Sequence, residues 1–142
     1  MTRIRPLIAV VDDEEPIRRA LCRLIRAAGL DAEAFSCGAA FLASVDGNAP
    51  DCVVLDLHMP GMSGFDVLAR LADLGPSVPV VAITGYDTPE ARERVLATGA
   101  TAYLNKPVDA DALLDAIASA LAVGASRPSI DHSGELNAKS TP

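Results

Sequence analysis

Short continuous apolar runs alternate along this chain with segments whose apolar residues recur every three to four positions, five of each. Leu7 to Val11 is apolar throughout, as a parallel strand covered on both faces should be. A helix is predicted from about Glu15. Pro16 suits its first turn, Ile17, Ala20, Leu21, Leu24, Ile25 and Ala28 share one face, and Gly29 ends it. Asp31 to Phe35 reads as a weaker, edge-like second strand and Gly38 to Val45 as a short second helix. Cys52 to Leu55 forms a third strand that ends at Asp56. After the turn from His58 to Met62, Ser63 with Asp66 three residues on has the form of a capping box, opening a helix that carries Phe65, Leu68 and Leu71. Pro79 leads into a fourth strand, Val80 to Ile83, that stops at Thr84. Thr88-Pro89-Glu90 sets a cap, a first-turn proline and an acid in order, so a fourth helix starts there, and Gly99 stops it. Thr101 to Leu104 is the fifth strand, and Asp109 caps a last helix bearing Leu113, Ile117 and Leu121.

Five βα units of this length predict an α/β fold, a doubly wound parallel sheet in the order 2-1-3-4-5 with right-handed crossovers and helices on both faces. In that order the chain reverses direction between the first and third strands, so ligands are expected beyond their carboxyl ends. Asp12, Asp13 and Asp56 all fall there. Residues 1–123 read as a single domain. From Gly124 the sequence turns to Ser, Pro, Asn, Lys and Thr with few apolar residues, so 124–142 is expected to be a disordered tail.

Composition narrows the function classes. Of 142 residues half are apolar, but aromatics make up only 4% and Trp is absent, so the core must be built from Ala, Val, Leu and Ile. A net charge of −7 argues against direct nucleic-acid binding or adhesion to anionic lipid, and favours cations and basic partner surfaces. Cys22, Cys37 and Cys52 show no C-x-x-C pairing and read as small apolar residues in a reducing compartment. The apolar run after the two N-terminal arginines is too short for a signal-peptide core, and no stretch approaches a membrane span. A cytoplasmic location is expected.

Three carboxylates converging at one sheet edge repel one another, and without a partner at least one should have a raised pKa. A cation removes the conflict. Hard oxygens, too few for a full protein cage, favour Mg²⁺ that keeps several waters, with Mn²⁺ as the alternative ion, over Ca²⁺ or Zn²⁺. A plainer reading has Asp12, Asp13 and Glu14 only capping the first helix and favouring its dipole. Asp56 is harder to explain that way, since an aspartate after Cys52-Val53-Val54-Leu55 needs something charged to meet it. Lys106, just after the fifth strand, can supply that charge on the same edge as Thr84. A hydroxyl, an ammonium and a metal around one carboxylate are the equipment of phosphoryl transfer. Taken singly, Thr84 reads equally as a strand terminus and Lys106 as a surface lysine.

Val11-Asp12-Asp13, the run Leu55-Asp56-Leu57-His58-Met59-Pro60-Gly61-Met62-Ser63-Gly64, Ile83-Thr84-Gly85 and Lys106-Pro107 together resemble the motifs of bacterial two-component response-regulator receivers, over about residues 7 to 122. The resemblance implies a flavodoxin-like fold and a Mg²⁺-dependent phosphoacceptor, Asp56, that attacks the phosphohistidine of a sensor histidine kinase or histidine phosphotransfer protein. By the same resemblance Asp13 and Asp56 bind the metal with the backbone carbonyl of His58, Asp12 acts largely through water, and Thr84 and Lys106 contact the phosphoryl oxygens. Pro107 matches a cis peptide bond, Tyr103 matches a switch aromatic that turns inward as Thr84 moves, and homodimerisation would use the face of the fourth helix, fifth strand and fifth helix. The chain would be a signalling domain, catalysing only its own phosphorylation and dephosphorylation.

Departures from the pattern locate what is particular to this chain. His58 stands two residues after the position of the phosphoacceptor, where many relatives have a smaller polar group, and Tyr86 two after the threonine; the resemblance implies that these positions tune loss of the phosphoryl group. Val108, where the family often has Phe, alters packing beside Lys106. A flavin-binding electron carrier shares the sheet order, but Val11-Asp12-Asp13-Glu14-Glu15 would repel a phosphate that such a first loop should cradle. An aspartate-nucleophile phosphatase would want an acid at the position of His58. Both a stand-alone regulator and the receiver part of a longer transcription factor are compatible with the residues, and the cognate kinase is not encoded in them.

Overall fold

A computed structural model of the chain describes residues 4–74 and 78–126, with side chains as far as Val123 in the last helix. Strands β1 (Leu7–Val11), β2 (Asp31–Phe35), β3 (Cys52–Asp56), β4 (Val80–Thr84) and β5 (Ala102–Asn105) alternate with helices α1 (Glu15–Ala27), α2 (Gly38–Val45), α3 (Gly64–Asp73), α4 (Pro89–Ala97) and α5 (Ala110–Ser126). All pairings are parallel and the order is β2-β1-β3-β4-β5, as the βα alternation predicts.

The alternation of side chains along each strand divides the core in two. Ala9, Val11, Val53, Leu55, Val80, Ala82 and Tyr103 face Phe41, Val67, Leu68, Leu71 and Val95 of α2, α3 and α4. Ile8, Val10, Cys52, Val54, Val81 and Ile83 face Leu21, Cys22, Ile25, Leu113, Ile117 and Ala120 of α1 and α5. The three central strands are therefore apolar on both faces. Each fully buried Val, Leu, Ile or Phe in these layers contributes about 1.5–3 kcal/mol through removal from water.

Local chemistry sets the helix starts. Ser63 Oγ accepts from the Asp66 N–H and the Asp66 carboxylate accepts from the Ser63 N–H, completing the capping box. Thr88 Oγ1 accepts from Ala91 N–H and Asp109 Oδ2 from Ala112 N–H, so both other caps stand where the sequence places them. The turn between β3 and α3 is tight. Gly61 has φ +76, and a Cβ on Gly64 would collide with the Asp56 carbonyl oxygen and Leu57 Cα.

Four expectations are corrected. On α1, Ala20 and Ala28 are exposed while Cys22 is buried, because the contact line runs through Leu21, Cys22 and Ile25 and the stripe is narrower than the apolar pattern. Strand β5 begins and ends one residue later than the apolar run, since its register carries Asn105 opposite Thr84. Cys37 is exposed ahead of α2 and unlike Cys22 and Cys52 fills no core space. Helix α5 continues to Ser126, past the expected boundary at residue 123, because backbone bonding proceeds through Gly124. The rest of the expected tail, 127–142, lies outside the described residues.

Candidate functional site

The carboxyl ends of β1, β3, β4 and β5 meet at one edge of the sheet, and the polar groups buried there are Asp12, Asp56 and Thr84. Asp12 directly follows β1. Its N–H donates to the Phe35 carbonyl at 3.2 Å, its carbonyl accepts from Arg18 Nη1 at 2.8 Å, and its Oδ1 accepts from Glu14 N–H at 2.9 Å. The helix-start reading of the acidic run is thus partly realised, by Asp12 rather than by Glu14, which makes no side-chain cap. The other oxygen, Asp12 Oδ2, is buried without a hydrogen-bond donor in good geometry. Lys106 Nζ lies 3.1 Å from it as an ion pair.

Asp56 ends β3, and its Oδ1 accepts from the His58 N–H at 3.3 Å. Lys106 Nζ is 3.4 Å from the same oxygen and 3.4 Å from Glu14 Oε1, so one ammonium serves three carboxylates. The Lys106 N–H donates to the Thr84 carbonyl at 2.8 Å, tying the loop to β4, and the Lys106–Pro107 peptide bond is cis. One oxygen each of Asp12, Asp13 and Asp56 lies within 4.8 Å of the others, Asp13 being exposed at the mouth. Burial first, and then the Asp12 charge, push the Asp56 carboxyl up to about 6, against the opposing pull of Lys106 and the His58 N–H. Burial alone would lower the Lys106 pKa, but its bonds and attraction to Asp12 and Asp56 override that and raise it. The sequence expectation of a raised carboxylate is met at Asp56.

Thr84 ends β4 with its hydroxyl buried. Oγ1 lies 3.1 Å from His58 Nδ1 and accepts from the Tyr86 N–H at 2.9 Å. The His58 ring meets Tyr86 edge-on at 4.9 Å between centroids and Phe65 at 6.1 Å. Asp13, Glu14, Asp56, His58, Tyr86 and Lys106 line an open cleft of about 390 Å³. Tyr103 on β5 is buried with the Arg92 guanidinium 4.7 Å above its ring. Its hydroxyl has no hydrogen-bond partner in good geometry, and burial with the nearby Asp87 carboxylate raises the phenol pKa.

Every sequence-predicted site residue except Tyr103 therefore lies at this one edge, and Tyr103 sits behind it on the α4 side. Three partners were not legible beforehand: Glu14 on Lys106, the His58 ring on Thr84, and Arg92 over Tyr103. Glu14 and His58 carry a signal in retrospect, since each stands two residues beyond a site aspartate on a loop turning over the cleft. Arg92 has none.

Hard oxygens of Asp12, Asp13 and Asp56 gathered within 4.8 Å, with Asp12 Oδ2 buried against the Lys106 ammonium, fit a small divalent cation. A second opening of about 330 Å³ lies along α1, lined by Arg18, Arg19, Arg23, Arg26, Cys22 and Ala34. Arg26 Nη2 donates to the Ala32 carbonyl at 2.8 Å. Among the described residues no helix is long and apolar enough to cross a membrane.

Comparison with known proteins agrees with this fold. The response regulator receiver domain family matches residues 8–118. The response regulator protein TodT of Pseudomonas putida is 36% identical over 115 residues, covering 81% of this chain and 51% of its own. The solved structure of the response regulator StyR superposes with a TM-score of 0.80 at 37% identity, over 87% of this chain and 62% of that one. A response regulator receiver protein from Burkholderia phymatum gives 0.74 at 40% identity, over 83% and 96%. The chain spans about half the length of the curated relatives it matches first.

Proposed function

Since this chain belongs to the response-regulator receiver family, the signalling domain of two-component phosphorelays, we propose that Asp56 is its phosphoacceptor and that Asp12, Asp13, Asp56 and the His58 carbonyl hold Mg²⁺, or Mn²⁺ in its place. The observation that carries this reading is Lys106 Nζ, set 3.1 Å from the buried Asp12 Oδ2 and 3.4 Å from Asp56 Oδ1, where one oxygen each of Asp12, Asp13 and Asp56 lies within 4.8 Å of the others. The cation, when bound, supplies positive charge that keeps the carboxylates ionised and offsets charge on the transferred group.

An Asp56 oxygen attacks phosphorus in a phosphohistidine or small phosphodonor. An O–P bond forms, the N–P bond of the phosphohistidine breaks, and its electron pair stays on the departing imidazole. Lys106 turns from its carboxylates to a phosphoryl oxygen, and the Thr84 hydroxyl donates to another. Phosphorylation adds about two negative charges, so the state that pairs them better with Thr84 and Lys106 gains weight. Tyr103, already buried beneath Arg92, carries the change to the face of α4, β5 and α5, through which a homodimer forms. Water attacking the acyl phosphate returns free Asp56, and Tyr86, 69% exposed over the cleft mouth, screens that attack together with His58.

The partner is a sensor histidine kinase or a histidine phosphotransfer protein. The arginines of α1, beginning with the Arg18 that grips the Asp12 carbonyl, offer an acidic partner surface a cationic face beside the cleft. A cytoplasmic location fits the three free cysteines and this family membership. Phosphate-affinity electrophoresis after treatment with a small phosphodonor tests the metal. The retarded band should require Mg²⁺ and vanish in an Asp12→Asn/Asp13→Asn double variant; a band that persists there would overturn the assignment.

A further inference from the structure

The contact of His58 with Thr84 has no place in the steps above. Thr84 Oγ1 is held between two partners, the Tyr86 N–H at 2.9 Å and His58 Nδ1 at 3.1 Å. A hydroxyl has one proton and two lone pairs. The Tyr86 N–H takes one lone pair, and when the imidazole carries its proton on Nε2, Nδ1 accepts and the only proton of Thr84 points to it. A phosphoryl oxygen on Asp56 needs that same proton. In that tautomer the two bonds are mutually exclusive.

The imidazole is exposed at the cleft, and Phe65 and Tyr86 meet it edge-on, at interplanar angles of 87° and 66°. Phe65 in turn carries the Arg94 guanidinium of α4 at 4.2 Å from its ring centre. Thr84, His58, Phe65 and Arg94 are therefore in continuous contact from the site to α4. We propose that His58 is a positioning residue that latches Thr84 in the resting state, so that phosphorylation must break the His58–Thr84 hydrogen bond before Thr84 can bind the new group. The latch sets the resting bias of the switch. This rests on the reading of Asp56 as phosphoacceptor.

The test uses beryllofluoride with Mg²⁺ as a phosphoryl mimic and three proteins: parent, His58→Phe and His58→Asn. Phenylalanine keeps the ring contacts and removes the acceptor, whereas the asparagine side-chain oxygen falls near the place of Nδ1. Loss of one ordinary hydrogen bond should tighten mimic binding to His58→Phe by about two- to tenfold, with His58→Asn near the parent. A second readout follows the bond itself: the ¹⁵N resonance of His58 Nδ1 should shift when the parent is saturated with the mimic. Equal or weaker binding by His58→Phe, or an Nδ1 resonance that does not move, overturns the latch alone. A parent that binds no mimic overturns the latch and the phosphoacceptor reading together.

Discussion

Asp56 is buried beside Asp12, and the two effects raise its carboxyl from an ordinary 3.8 to about 6 in the metal-free protein. Between those values the folded chain holds a proton that the unfolded chain has lost, so stability falls as pH rises through that window. The stabilisation is complete below about pH 4 and gone above about pH 6. Asp56→Asn removes the penalty. Without divalent metal at about pH 8 it should exceed the parent by on the order of 1–3 kcal/mol, a gain that shrinks toward about pH 4 in thermal melts; a variant no more stable at the higher pH contradicts the repulsion. At the cleft mouth, Tyr86→Ala should shorten the acyl-phosphate lifetime by about two- to fivefold, a barrier change of under about 1 kcal/mol. An unchanged or longer lifetime rules out screening. These site residues were legible because each is a polar group placed where an apolar run stops. Their mutual contacts were not, since side-chain direction on a loop has no periodicity to read: nothing in His58-Met59-Pro60 says that the imidazole turns to Thr84.

The elements divide by whether their ends are set locally. Ser63, Thr88 and Asp109 cap helices through bonds to residues three positions on, so short-range chemistry places α3, α4 and α5 at their starts. The limits of β5 depend instead on its register against β4, and the buried line of α1 on the sheet it crosses, both of which are tertiary. The same holds at Gly64, whose need for glycine comes from the Asp56 and Leu57 backbone rather than from its own turn. Gly64→Ala should therefore destabilise the fold by about 1–3 kcal/mol in denaturant unfolding and displace Asp56, more than loss of helix propensity could explain, since alanine is the better helix former. A neutral or stabilising effect would show that the turn relaxes without cost.

At the scale of the whole molecule the sheet order and the receiver family follow from the alternation of elements and four short motifs, because the crossover rules leave few topologies. Surface chemistry is less legible. The chain carries a net −7, yet four of its arginines gather along α1, and only the folded helix puts them on one cleft. Arg19→Glu/Arg23→Glu should slow phosphoryl transfer from a protein phosphodonor by about tenfold while leaving transfer from a small phosphodonor unchanged, since the charge acts on docking and not on Asp56. Equal slowing with both donors would place the arginines in the chemistry instead. The central claim is tested by the intact mass of the parent and of Asp56→Asn after incubation with acetyl phosphate and Mg²⁺. The account predicts a single phosphoryl adduct on the parent and none on the variant; no adduct on the parent, or one retained by Asp56→Asn, would contradict it.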